Sequence, residues 1–231
     1  MPAGTQFSWH DHHEHQLAWS PEGVLVVRTG AGSYVLPPSR ALWIPAGTSH
    51  ETRASGAAVL RSVYVRTRSC RIKWDKATPV GVSPLLRELI PHLEGDSLSG
   101  EQRRHAEVVL FDLLAPLEVA TIDIRLPVDE RAQRVADGLL ADPRDSRTLH
   151  AWGRQVGASS RTLARLFLSE TGLTFGRWRT LARLQAALLQ LAEGQPVSVV
   201  AARVGYTTPS AFVAAFRAHT GVTPGRYFDS G

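Results

Sequence analysis

Four of the nine histidines crowd into residues 10–15, in the run His10-Asp-His-His-Glu-His15. In an extended strand alternate residues share a face, so His10, His12, Glu14 and Gln16 project one way and His13 and His15 the other. Neutral imidazoles spaced as H-x-H can hold one metal ion from a single strand. A further histidine, His50, follows the glycine turn Pro45-Ala-Gly-Thr-Ser. The same histidines equally describe a polar rim that binds no ion, and the residue types leave both readings open. A second chemistry belongs to arginine. Residues 128–231 carry 13 basic and 8 acidic side chains, all the basic ones arginine, whereas residues 1–127 carry 13 of each. The chain's net charge of +5 therefore lies wholly in the C-terminal part. Guanidinium groups pair bidentately with phosphate and with the guanine edge, so this asymmetry points to a nucleic-acid surface.

With 231 residues, 43% hydrophobic and 20% charged, the chain has the composition of two compact domains and not of a disordered polymer. No apolar run approaches the ~18 residues that span a bilayer. The start MPAGTQFSWHDHHEH lacks the basic and apolar segments of a signal peptide, so no membrane partner and a cytoplasmic location are expected. The single cysteine, Cys70, cannot form an intramolecular disulfide or a thiolate zinc site.

The elements that must position these groups follow from periodicity. Between Phe7 and Arg66, the segments 24–28, 33–36, 41–45 and 58–66 are short, β-branched or aromatic and separated by Gly and Pro. They read as strands of a small β-barrel or sandwich. After Pro79 the period becomes helical, through Leu85, Leu86, Leu89, Ile90 and Leu93, and then Val108, Val109, Phe111, Leu113 and Leu114. Pro127 precedes a new helical run, which puts the domain boundary near residues 121–128.

The C-terminal part repeats itself. Phe167–Trp178 is FLSETGLTFGRW and Phe216–Tyr227 is FRAHTGVTPGRY, both of the form F-x-x-x-T-G-x-T-x-G-R-aromatic. Upstream, Gly153, Gly157 and Leu163 correspond to Ala201, Gly205 and Phe212, with one extra residue in the second turn. A small residue for close helix approach, a glycine for the turn and two apolar anchors one helical turn apart describe a helix-turn-helix, present twice. Between the copies Thr174 can cap, and Gly194 can end, a long helix whose apolar stripe is Trp178, Leu181, Leu184, Leu188 and Leu191.

Residues 148–228, with RTLARLF, ETG-x-T-F-x-x-W, VA-x-x-VGY, SAF-x-x-AF and TG-x-TP, resemble the AraC/XylS signature. The resemblance implies a seven-helix domain that inserts two recognition helices into successive major grooves of double-stranded DNA near promoters. By position, the first helix would present Ser160, Arg161, Ala164 and Arg165. The second would present Pro209, Ser210, Val213 and Ala214, where relatives carry longer polar side chains. Fewer bases should be read there, with Thr207, Thr208 and Arg217 anchoring phosphates.

The histidine segments in turn resemble the two motifs of a cupin barrel, the sensory domain of many AraC-type regulators. His10, His12 and Gln16 match the first motif and His50 the second, with Glu14 or His15 as substitutes. Gln16 stands where metal-binding cupins carry glutamate, which removes a charge from the site. The expected cofactor is one divalent transition metal, zinc, iron, nickel or copper. The expected fold is α+β: a cupin-like barrel over 1–80, a helical linker and dimerisation region over 81–125, and a double helix-turn-helix domain over 126–231. The implied function is a transcription regulator and not an enzyme, acting as a homodimer with RNA polymerase as a further partner; a metal-dependent cupin enzyme fused to a DNA-binding domain is the alternative.

Overall fold

The computed structural model describes residues 6–30, 32–95, 98–117, 122 and 124–228. The chain divides into two compact units, one of Met1–Thr121 with Gly225–Gly231 and one of Ile122–Pro224. Residues 96–97, 118–121 and 123 of the expected linker lie outside the described residues.

The first unit begins with eight strands: β1 (Gln6–His10), β2 (His15–Trp19), β3 (Val24–Thr29), β4 (Gly32–Leu36), β5 (Arg40–Ile44), β6 (His50–Ser55), β7 (Arg61–Val65) and β8 (Thr78–Gly81). They form two four-stranded sheets, ordered β1-β6-β3-β4 and β7-β2-β5-β8, with every pairing within them antiparallel. The expected barrel is thus a small sandwich of two sheets and not one closed sheet. Leu25, Val27, Leu36 and Ala54 of the first sheet meet Ala18, Leu42 and Ile44 of the second in the core between them. The alternate residues of the second sheet, Leu17, Trp19, Trp43, Val63 and Val65, turn outward and are also buried.

Two helices cover that outer face, α1 (Pro84–Glu94) through Leu86, Ile90 and Leu93, and α2 (Gly100–Leu113) through Leu110 and Phe111. Ser83 caps α1 by accepting from the Leu86 amide, and Ser99 with Gln102 forms a reciprocal capping box on α2. Because β5 is covered on both sides, all five of its residues are buried, and after Arg40 its sequence Ala-Leu-Trp-Ile is continuously apolar where a one-faced strand would alternate. The two apolar helices therefore complete the core of the β unit.

In the second unit α3 (Glu130–Ala141) precedes two helix pairs, α4 (Leu149–Val156) with α5 (Ser160–Thr171) and α7 (Val197–Arg203) with α8 (Pro209–Thr220). The long α6 (Phe175–Ala192) lies between the pairs in sequence, and α9 (Pro224–Tyr227), which follows α8, falls from Gly225 onward in the first unit. Thr174 caps α6, and Gly194, with φ +78°, follows its end. The apolar stripe is buried at Trp178, Leu181, Leu184 and Leu188, and Leu191 is half-buried.

The structure explains the repeat residue by residue. Thr171 donates its hydroxyl to the Phe167 carbonyl at 2.6 Å and accepts from the Leu173 amide, while Thr220 does the same with Phe216 and Val222. Gly172 and Gly221 then adopt φ +75° and +80°, left-handed values that disfavour a side chain. Both turns also close with one type of hydrogen bond, Ala158 N–H to Gly153 and Tyr206 N–H to Ala201, each 2.9 Å. At Gly153 a Cβ would lie 2.3 Å from the Ala158 carbonyl oxygen, so this turn tolerates no side chain without moving. Each core is aromatic: Phe167 packs against Phe175 and Trp178 in the first copy, and Phe212 against Phe216 and Tyr206 in the second.

Candidate functional site

Two places in the molecule combine chemistry with position. The first is at one end of the sandwich. β1 pairs with β6 so that Phe7 opposes Thr52 and His10 opposes His50, with a register shift between them. Directly paired residues share a face, so the shift puts His10 on the same face as Phe7, three residues away, which regular alternation forbids. The result is that the His10 and His50 rings stand 4.4 Å apart, centroid to centroid. His12 lies beyond the end of β1, in the loop, and not on the same strand as the sequence pattern suggested. Its carbonyl accepts from the Gly47 amide at 2.8 Å, which ties the loop to the glycine turn before β6. Held there, its ring lies 4.8 Å from His10 and 5.2 Å from His50. One ring nitrogen from each of the three falls within 4.8 Å of the other two.

The second nitrogens of two rings are already engaged. His10 Nδ1 lies 2.5 Å from the Ser8 carbonyl and His50 Nδ1 2.9 Å from that of Thr48. A carbonyl only accepts, so each Nδ1 carries the hydrogen and each neutral ring leaves Nε2 as a lone pair. This is the arrangement by which protein histidines are oriented toward metals. His50 Nε2 and His12 Nε2 are buried without a hydrogen-bond partner, and so is Gln16 Oε1. The Gln16 amide nitrogen is occupied, donating from β2 to Ser62 Oγ on the neighbouring edge strand β7 at 2.8 Å. Burial holds both His12 and His50 below the ordinary imidazole value. For His12 the neighbouring His10 adds to this, and the Gln16 amide beside it opposes it.

The two substitutes named from the sequence have other partners. Glu14 pairs with Arg66 at 3.8 Å in solvent, and His15 accepts the Ala46 amide on Nδ1 while stacking on Trp43. Sequence reading missed Tyr64, whose ring meets His12 edge-on at 5.1 Å. The signal was present in Val63-Tyr-Val65: the two valines are buried against the helices, which puts Tyr64 on the opposite face with its partner Gln16.

The second place is the pair of helix-turn-helix units. On α5 the buried residues are Leu163, Leu166, Phe167 and Thr171, so Arg161, Ala164 and Arg165 are exposed together on the other side, with Ser160 at the first turn. An open depression beside this turn is lined by His150, Arg154 and Gly157 together with Ser159, Ser160 and Arg161. His150 and Arg154 were not singled out from the sequence. They become visible once Trp152, Gly153 and Val156 mark the buried face of α4. On α8, Pro209, Ser210, Ala214 and Arg217 are exposed and Val213 is half-buried. Thr207 is exposed just before it, and Thr208 caps the helix by accepting from the Ala211 amide at 3.2 Å.

Residues 1–108 match the family model described as the AraC-like ligand binding domain, and residues 152–230 match a helix-turn-helix domain. The chain is 29% identical over 221 residues to the HTH-type transcriptional regulator NimR of Escherichia coli (strain K12), covering 94% of this chain and 81% of that protein. It is 29% identical over 214 residues to the HTH-type transcriptional regulator RipA of Corynebacterium glutamicum, covering 91% of this chain and 61% of that one. Among solved structures, ToxT from Vibrio cholerae aligns over 99% of this chain and 95% of its own, with 12% identity and a TM-score of 0.40.

The carbonyl contacts fix an expected tautomer. Long-range proton–nitrogen NMR of the metal-free protein near pH 7.5 should show His10 and His50 as Nδ1–H imidazoles. Nε2–H forms would mean that the two rings are not aimed at a common point.

Proposed function

The chain belongs to the AraC/XylS family of transcriptional regulators, and from that membership we propose that its ligand-binding unit senses a divalent transition metal held by His10, His12, His50 and Gln16. It joins an AraC-like ligand-binding domain to a helix-turn-helix DNA-binding domain, and its partner is DNA. Support for the metal comes from the buried atoms without partners, His12 Nε2, His50 Nε2 and Gln16 Oε1. A buried polar atom left unpaired costs about 1–3 kcal/mol, and one cation would satisfy all three at once. Three imidazoles favour zinc, iron, nickel or copper over magnesium or calcium. When bound, the ion supplies a positive centre that links the end of β1, the loop after it and the start of β6. The three histidines would orient it, and Ser62 would hold the Gln16 amide so that its oxygen is left to ligate.

Sequence-specific contact is assigned to Ser160, Arg161, Ala164 and Arg165 on α5. Ser210 and Val213 on α8 would read less, with Thr207, Thr208 and Arg217 on phosphates. A homodimer through α1 and α2 is supported by Leu85 and Val109, apolar yet 57% and 41% exposed on helices whose other faces are buried. RNA polymerase as a partner and a cytoplasmic location follow from the regulator reading. No helix among the described residues is long and apolar enough to cross a membrane. The relatives are named as regulators, which favours sensing over turnover.

Three outcomes are expected. Tag-free protein should carry close to one divalent transition metal per chain, and His12→Ala or His50→Ala should abolish this; metal content far below one equivalent after supplementation returns the cluster to a polar rim. Arg161→Ala or Arg165→Ala should weaken operator binding by about 1–3 kcal/mol and relax preference at one base pair. Unchanged affinity and specificity in both would move the reading face elsewhere. Sedimentation at micromolar concentration should give a dimer, and a monomer with and without DNA would remove that part of the proposal.

A further inference from the structure

The donor set at the end of the sandwich has no net charge. Histidine ligates as a neutral imidazole, and at the fourth position Gln16 offers a neutral amide oxygen where a carboxylate would have cancelled one positive charge. The surrounding acidic groups do not make up the difference. Glu14 is 44% exposed and paired with Arg66, and Asp11 is exposed, so the pull of these two carboxylates on His12, and of Asp11 on His50, is weaker than the effect of burial. Glu51, next to His50 in sequence, belongs to the opposite face of β6 by strand alternation; it pairs with Arg28 at 2.8 Å and accepts from Gln6 at 3.0 Å. A divalent ion held by His10, His12, His50 and Gln16 would therefore keep most of its charge in a site where His12, His50 and Gln16 each present a ligand atom removed from water.

We infer that the effector of this unit is a small organic anion, a carboxylate or a similar oxygen donor, which completes the coordination of the metal and neutralises it. The inference rests on the metal reading above. An uncompensated divalent charge is the largest local field in such a site, and an anionic oxygen ligand gains from it what a neutral one cannot. The surroundings also suit an organic body attached to that anion. Phe7 shares the face of β1 and β6 that carries His10 and His50 and is 46% exposed. Tyr64, 38% exposed, sits on His12 from the other sheet. Two half-exposed aromatic rings beside a charged centre offer apolar surface to a ligand whose acid group faces the metal.

Cobalt(II) gives a visible spectrum that reports its ligands, so the full-length protein loaded with cobalt tests both steps separately, with benzoate as the anionic probe and benzamide as its neutral counterpart of similar shape. Cobalt bands saturating at one equivalent are expected. Benzoate should then shift those bands at millimolar concentration or below, and benzamide should not. The Gln16→Glu variant, whose carboxylate would itself ligate cobalt and move its bands, should bind benzoate at least tenfold more weakly, because that carboxylate supplies the missing negative charge. Absence of cobalt bands removes the metal reading and this inference with it. Bands that form normally but ignore benzoate, or respond equally to benzamide, overturn the inference and leave the metal reading standing. Undiminished benzoate affinity in Gln16→Glu overturns it as well, since charge would then not be what selects the ligand.

Discussion

A buried imidazole nitrogen or amide oxygen without a partner is a standing cost to a folded protein, and the N-terminal unit concentrates three such atoms at one place. The surrounding backbone is arranged to keep them there. A register shift in the β1–β6 ladder brings His10 round to the face of His50, the Gly47 amide holds the loop that carries His12, and Ser62 occupies only one end of the Gln16 side chain. Each is a local departure from regular strand geometry, or a side chain committed at one end only. Together they gather buried nitrogen and oxygen atoms that lack a hydrogen-bond partner of regular geometry.

The rest of that unit is what makes such an arrangement affordable. Its second sheet is buried on both faces, by the first sheet on one side and by α1 and α2 on the other, so the strand bearing Gln16 is fixed through Leu17, Ala18 and Trp19 on alternating faces. A strand held in this way cannot slip by one residue without exposing its whole core set, and Gln16 and Tyr64 keep their positions beside His12 for the same reason. Precision at the site therefore comes from hydrophobic burial a few residues away.

The helix-turn-helix unit obeys a different economy, in which one local device is used twice. A threonine bonds back to the preceding phenylalanine carbonyl and accepts from the amide two residues on, a left-handed glycine follows, and the phenylalanine fills the core of its own copy. These contacts are short in sequence, so the repeated letters and the repeated structure are nearly the same information. What differs between the copies lies on the outward faces: two arginines one turn apart on α5, and Ser210, half-buried Val213 and Ala214 on α8. That difference divides the proposed work between base reading and phosphate anchoring.

By itself the sequence determined whatever depends on neighbours along the chain. The twelve-residue repeat, the cap at Thr174, the glycine turns and the arginine pair at 161 and 165 were all legible, because helices are built from contacts three or four residues apart. It also singled out His10, His12, Gln16 and His50, though through a strand alternation that His12 does not follow. Only the tertiary structure decided the rest. The strand β6, reading HETRAS, has no apolar alternation to announce it and exists because β1 and β3 pair with it on either side. The choice between closed barrel and two-sheet sandwich, the bulge that turns His10 inward and the separation of Glu14 and His15 from the cluster depend on hydrogen bonds between residues some 30 to 45 positions apart, as in Gln6 to Glu51 and Ala46 to His15. No local pattern encodes those pairings, because the energy that selects them appears only when both strands share one core.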